Sequence, residues 1–277
     1  MKMVNSQRWQ DRQKLFYVCF LLLTWVGLSA CATGGGGYDA SRSVEMVTDS
    51  DEPEVRKRAK IRMELAVGYF EQGQTTVALD EVKQALVTDP GFAEAFNLRG
   101  LIYMRLNDMR LAEESFRRAM ALNPKDASVL HNYGWLLCQQ ARYNEAVQAF
   151  SQAIANPTYG GRAKTWMTLG LCQVRAAQRL EAEHSLGKSY ELDAGNPITG
   201  YNLSLLLYQR NELSRAQFYI RRLNNSELAN AESLWLGIKV EQGLKNTEAV
   251  QQLAGQLRKR YPLSRELAAF ERGAFNE

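Results

Sequence analysis

The stretch "HNYGWLLCQQARYNEAVQAFSQAIANPTY", His131 to Tyr159, decides the fold because its small and apolar residues fall at fixed intervals. Gly134 is followed twelve residues later by Ala146, Ala146 four later by Phe150, and Pro157 closes the unit. A step of 34 residues in either direction returns the same residue types. The small position reappears in Leu65-Ala66, Arg99-Gly100, Leu169-Gly170, Leu203-Ser204 and Leu236-Gly237. The alanine returns as Ala78, Ala112, Ala182, Ala216 and Ala249, and the apolar knob as Val82, Phe116, Leu186, Ile220 and Leu253. Pro90, Pro124, Pro197 and Pro262 close or follow other units.

A helix–turn–helix unit of 34 residues with this signature is the tetratricopeptide pattern. Small residues at its eighth and twentieth positions let two helices approach closely. The apolar residue four beyond the alanine shares its helical face and fills the gap to the next unit. Proline lacks the N–H that a continuing helix needs, so it ends the second helix. The expected fold is all-α, a right-handed superhelical solenoid of about six repeats over residues 59–262, starting near 59, 93, 127, 163, 197 and 230. Residues 263–277 remain as a C-terminal tail. The only sizeable slip is a two-residue insertion around Asn156 to Ala163, where Gly160 and Gly161 mark a longer turn.

Arrays of this kind line a concave groove with the first helix of each repeat and hold an extended or helical segment of another protein there. Positions 2, 5, 9 and 12 of the middle first helices give Glu94, Asn97, Leu101 and Met104, then His131, Trp135 and Cys138. The next two repeats give Met167 and Leu171, then Tyr201, Leu205 and Tyr208. The set is aromatic and apolar with a few polar groups, which favours an apolar partner segment; inter-repeat core is the other use for such side chains. The lysine, arginine and asparagine arrangement that some members of the superfamily use to grip a carboxylate is mostly missing.

Ahead of the repeats the composition changes. Lys2, Arg8, Arg12 and Lys14 precede an apolar run from Leu15 to Leu28, which ends in Leu28-Ser29-Ala30-Cys31. A basic segment, an apolar run of about 7–15 residues and a small-residue site form a signal peptide. The run is shorter than the roughly 20 residues of a membrane-spanning helix. Leu28 to Cys31 has the form of a lipobox, so residues 1–30 are expected to be removed and Cys31 to carry lipid. An uncleaved signal anchor is the alternative. Residues 31–58 then form a lipidated N-terminus and flexible linker, with Gly34 to Gly37 followed by the acids Asp39, Glu45, Asp49, Asp51, Glu52 and Glu54. Glycines that cradle phosphate need a strand before them and a helix after, which is not the setting here. Of the formal net charge of +4, three units belong to residues 1–30, so the basic balance gives no argument for nucleic acid.

No catalytic constellation emerges. The two histidines, His131 and His184, lack metal-ligand spacing, and the carboxylates are scattered over helix faces. Nucleophile elbows and phosphate loops are absent. The expectation is a protein-binding molecule with no enzyme activity, no cofactor, no metal and no small-molecule substrate.

The stretch His131 to Tyr159, with "LGLCQVRA" (Leu169 to Ala176), "NPITGYNLSLLLYQRNELSRAQFYIRRL" (Asn196 to Leu223) and the lipobox, resembles the type IV pilus biogenesis and stability lipoproteins, or pilotins. That resemblance covers essentially the whole chain after the linker. It implies an outer-membrane-anchored, periplasm-facing protein of six repeats that helps the pilus secretin reach the outer membrane and form its multimer. It makes Cys31 the lipidated cysteine and Cys138 and Cys172 a cysteine pair in the third and fourth repeats. These two thiols stand at positions 12 and 10 of successive first helices. Helix axes about 8–10 Å apart place facing Cα atoms within disulfide span. An exported compartment permits the bond, and two buried free thiols are the alternative. Ala32 after Cys31 agrees with outer-membrane sorting. A scaffold lipoprotein for another envelope machine, or an accessory subunit of a cell-wall enzyme, are the other functional readings.

Overall fold

A turn repeated six times organises the chain. Gly73, Asn107, Ala141, Ala177, Asn211 and Lys245 all have positive φ, and their spacing is 34 residues except across the insertion. Each sits between the two helices of a repeat. The N–H of the next residue reaches back to a carbonyl five positions earlier, as in Asp108 to Tyr103 (2.9 Å), Arg142 to Leu137 (2.9 Å) and Glu212 to Leu207 (2.9 Å). This left-handed C-terminal cap ends the first helix and turns the chain into the second. Asparagine and glycine tolerate that conformation; the two alanines adopt it at a steric cost of about 1 kcal/mol or more each.

In a computed structural model the described residues, 51–275, contain helices and no strand. The first helices are α1 (Glu54–Glu71), α3 (Ala93–Arg105), α5 (Ala127–Gln139), α7 (Arg162–Arg175), α9 (Pro197–Gln209) and α11 (Ala231–Gly243). Their partners are α2 (Thr75–Thr88), α4 (Met109–Leu122), α6 (Tyr143–Ala155), α8 (Arg179–Leu192), α10 (Leu213–Asn224) and α12 (Thr247–Arg260), followed by α13 (Arg265–Glu271). Side-chain caps fix several starts: Asp108 accepts from Leu111 N, Asp126 from Ser128 and Val129 N, and Asn196 from Ile198 and Thr199 N. Pro197 occupies the first turn of α9, where its missing N–H costs nothing.

The spacing of small residue and knob has a direct steric cause. A Cβ built on Gly100 would lie 2.6 Å from the Phe116 ring; one on Gly134 would lie 2.9 Å from Phe150, and one on Gly170 2.7 Å from Leu186. Knob and small residue are therefore in contact across these three helix pairs. Ala78, Ala112, Ala146, Ala182 and Ala216 are fully buried, as are Val82, Phe116, Phe150, Leu186 and Ile220. Each first helix also touches the first helix of the next repeat, and each second helix touches the following first helix. Among the described residues no second helix touches another second helix. First helices thus stack together on one side of the array.

Two segments differ from the sequence expectation. α1 begins at Glu54, inside the stretch assigned to linker 31–58, with Lys60 paired to Glu52 at 2.6 Å. The tail 263–277 contains α13, capped by Ser264 and packed on α11 and α12. It stands one step beyond α11, where the first helix of a further repeat would be, and buries Leu267 and Ala269 against Trp235, Val250 and Leu257. No second helix follows it among the described residues, so it shows no small-residue and knob pair and the periodic pattern could not reveal it. The insertion forms an ordered turn: Asn156 Oδ1 accepts from Thr158 N, and the Tyr159 ring lies so close to Gly161 that a Cβ there would be 2.4 Å away.

Candidate partner-binding groove

The residues expected to line the groove lie on the stacked first helices, and most are half-buried. Leu101 and Met104 lean on the core of the first repeats, Trp135 on that of the third and fourth, and Met167, Tyr201, Leu205 and Tyr208 on that of the fifth. Leu171 is half-buried as well. Asn97 accepts a 3.0 Å hydrogen bond from Asn132 Nδ2, which ties α3 to α5 across the face.

Two members of the set are not available to a partner. His131 is buried; its Nδ1 is 2.9 Å from the Thr165 hydroxyl, and the ring meets Phe150 edge-on at 5.9 Å. Burial, reinforced by the nearby Lys164, pushes its pKa down to about 4. It is a neutral core residue. Cys138 is also buried, its sulfur bonded to that of Cys172, with Cα atoms 5.8 Å apart. Position 12 of α5 thus faces α7.

Cations over aromatic rings set the electrostatics of the face. The Arg175 guanidinium lies 4.8 Å from the Trp135 ring. Lys239 Nζ lies 5.6 Å from the Tyr208 ring and 5.4 Å from that of Trp235, and burial lowers its pKa. Such contacts favour the charged form while the ring excludes water. Tyr201 and Leu205 join Trp235, Lys239, Arg265 and Arg272 around a concavity of about 360 Å³. Arg265 bridges Glu266 (2.7 Å) and Glu232 (3.0 Å) at its rim. Burial, with Glu232 beside it, raises the pKa of Tyr201.

The sixth repeat's contribution, Trp235 and Lys239, is absent from the sequence-derived set. A signal existed, since they stand 34 residues after Tyr201 and Leu205. Counting from Gly237 instead points to Leu234 and Ile238, which are fully buried, because only 33 residues separate Ser204 from Gly237. Arg265 and Arg272 come with α13 and carried no sequence signal. Cys31 lies outside the described residues. Among the described residues no cluster of histidine, cysteine and carboxylates could hold a metal ion, and no helix is long and apolar enough to cross a membrane.

Residues 91–158 match the tetratricopeptide repeat family model. The type IV pilus assembly protein PilF of Pseudomonas aeruginosa is 29% identical over 251 residues, which cover 91% of this chain and 96% of that protein. The structure of Pseudomonas aeruginosa PilF superposes with a TM-score of 0.70 at 29% identity, covering 79% of this chain and 99% of the other. PilW, described as a widely conserved type IV pilus biogenesis factor, gives a TM-score of 0.69 at 29% identity, with the same coverage of 79% and 99%. The chain is an all-α solenoid of tetratricopeptide repeats, similar along nearly its whole length to a type IV pilus assembly protein.

Proposed function

We propose that this chain is an outer-membrane lipoprotein, anchored by lipid on Cys31, which works in type IV pilus biogenesis by binding the pilus secretin. Its periplasmic repeats promote outer-membrane localisation and multimer assembly of that partner. The observation that carries the reading is the end-to-end similarity to PilF, since a shared fold alone would leave the partner open. The lipobox ending at Cys31 supports the anchor. The half-buried Trp135, Leu101 and Leu171 on the first-helix face support a partner segment with apolar side chains. It acts by binding and not by catalysis.

Blotting for secretin multimers in a deletion strain, complemented by variants of the full chain, tests this. Loss of the chain should remove multimers and parental protein should restore them. Cys31→Ser should leave an unprocessed or mislocalised protein. Trp135→Ala, or Leu101→Glu with Leu171→Glu, should weaken binding by about 2 kcal/mol or more while a rim-charge change has little effect. Normal multimers in the deletion strain would reject the secretin role. Full assembly by folded groove variants would move binding away from the first-helix face.

A further inference from the structure

The fifth repeat breaks the rule that the four before it keep. Four positions beyond the knob those repeats carry an apolar side chain, Leu86, Met120, Ile154 or Tyr190; the fifth carries Asn224. Its second helix, α10, has 12 residues where α2, α4, α6, α8 and α12 have 13 or 14. In the following helix the buried pair is Val250 and Ala254, and Ala249 and Leu253, one residue earlier, are only partly buried and line the surface beside α10. Between α10 and α12 a cleft of about 340 Å³ is left open.

The cleft has an apolar floor and an amide rim. Ile220, Gly237 and Leu253 form the floor, and Asn224, Asn225 and Gln252 stand among the polar groups around it. Asn224 is 4% exposed. Its Nδ2 donates to the Ser233 carbonyl at 2.9 Å, which fixes the orientation of the amide. Its Oδ1 is buried with no hydrogen-bond partner. A buried acceptor in this state is unfavourable until a donor arrives. Charges of both signs stand at the cleft, Arg221 on Glu241 and the exposed Glu248, which accepts from Gln252 (3.2 Å). The buried Glu241 is saturated by Arg221 (2.6 and 3.0 Å), Gln217 (2.9 Å) and Asn246 (3.0 Å).

We propose that this cleft binds a short, extended, uncharged stretch of a partner polypeptide. One main-chain N–H of that stretch donates to Asn224 Oδ1, and a small apolar side chain rests over Gly237 and Leu253. A main chain supplies both what the floor and what the amides require. The volume lies at the low end of the roughly 300–1,000 Å³ usual for ligand sites, too small for a helix about 10–12 Å across. The cleft is built chiefly from second helices, apart from the first-helix face that carries Trp135. The array thus has two independent contact surfaces, and two linked contacts bind more tightly than either alone.

Full-length chain titrated with fluorescein-labelled acetyl-Gly-Ala-Val-Ala-Gly-amide tests the site by anisotropy and by the NMR signals of Asn224 and Gly237. Saturable binding is expected, with shifts confined to those residues and their neighbours. Methylating the Ala-Val-Ala main-chain nitrogens should weaken it about tenfold or more, as loss of a buried hydrogen bond requires. Asn224→Leu, which restores the apolar residue type of the first four repeats, should do the same. Leu253→Trp, which fills the cleft without touching Asn224, serves if that variant fails to fold. Trp135→Ala should leave the binding unchanged, so the cleft and the groove succeed or fail separately. No saturable binding up to about 1 mM, with the cleft holding water only, would overturn the proposal. So would binding that survives N-methylation or Leu253→Trp.

Discussion

His131 and Tyr201 occupy the same position of their repeats, yet one is sealed and the other half-exposed. The difference comes from the next first helix, where Thr165 closes over the imidazole and shares a hydrogen bond with it. Sequence periodicity placed His131 on the right face and could not show how much of it that neighbour covers. Its pKa of about 4, against an ordinary 6.5, has a consequence for stability. A base held neutral in the fold contributes stability that is fully present above pH 6.5 and is lost as the pH falls toward 4, because the unfolded chain takes up the proton first. The loss should approach about 3 kcal/mol. Urea unfolding of the parent and of His131→Gln at pH 7.5 and 4.5 checks this. Carboxylates such as Glu113 act on both chains alike, so the gap between them should narrow on acidification; a constant gap would refute the buried neutral histidine.

Within an element, glycines of one residue type play opposite parts. In α3, Gly100 faces the Phe116 ring, and an added methyl would meet it at 2.6 Å. In α1, Gly68 has nothing within 4 Å of an added Cβ. Alanine favours a helix interior over glycine by about 1 kcal/mol, so Gly68→Ala should stabilise by up to that amount. Gly100→Ala gains the same propensity but must displace a fully buried ring, and should destabilise by about 1–3 kcal/mol. Thermal unfolding of the two variants should give shifts of opposite sign. Equal shifts would mean that helix contact through the small position is not what sets the 34-residue pattern. The helices themselves were legible because knob and small residue recur together. α13 was not, since a lone first helix in the seventh place shows its identity only through packing on α11 and α12.

For the whole array, the junction between repeats three and four combines the two-residue insertion with the Cys138–Cys172 bond. Repeat arrays are held by nearest-neighbour interfaces, so a weak junction lets the two halves unfold separately. The disulfide, closing 34 residues, should contribute roughly 3–4 kcal/mol in the chain-entropy picture. Urea unfolding of the paired Cys138→Ser, Cys172→Ser variant should shift to lower denaturant and broaden or split. A curve that overlays the oxidised parent would dismiss the bond as a clamp. The sequence by itself determined the class of fold, the repeat register through five units and the apolar character of the first-helix face, because a fixed 34-residue period leaves one way to pack small residue against knob. Only tertiary structure decided which face residues are open, since exposure depends on the neighbouring repeat. It also corrected the sixth repeat's register, where Gly237 stands one residue short of the 34-residue step that the helices keep, and so joined Trp235 and Lys239 to the groove; it alone added α13 as a cap and opened the cleft at Asn224.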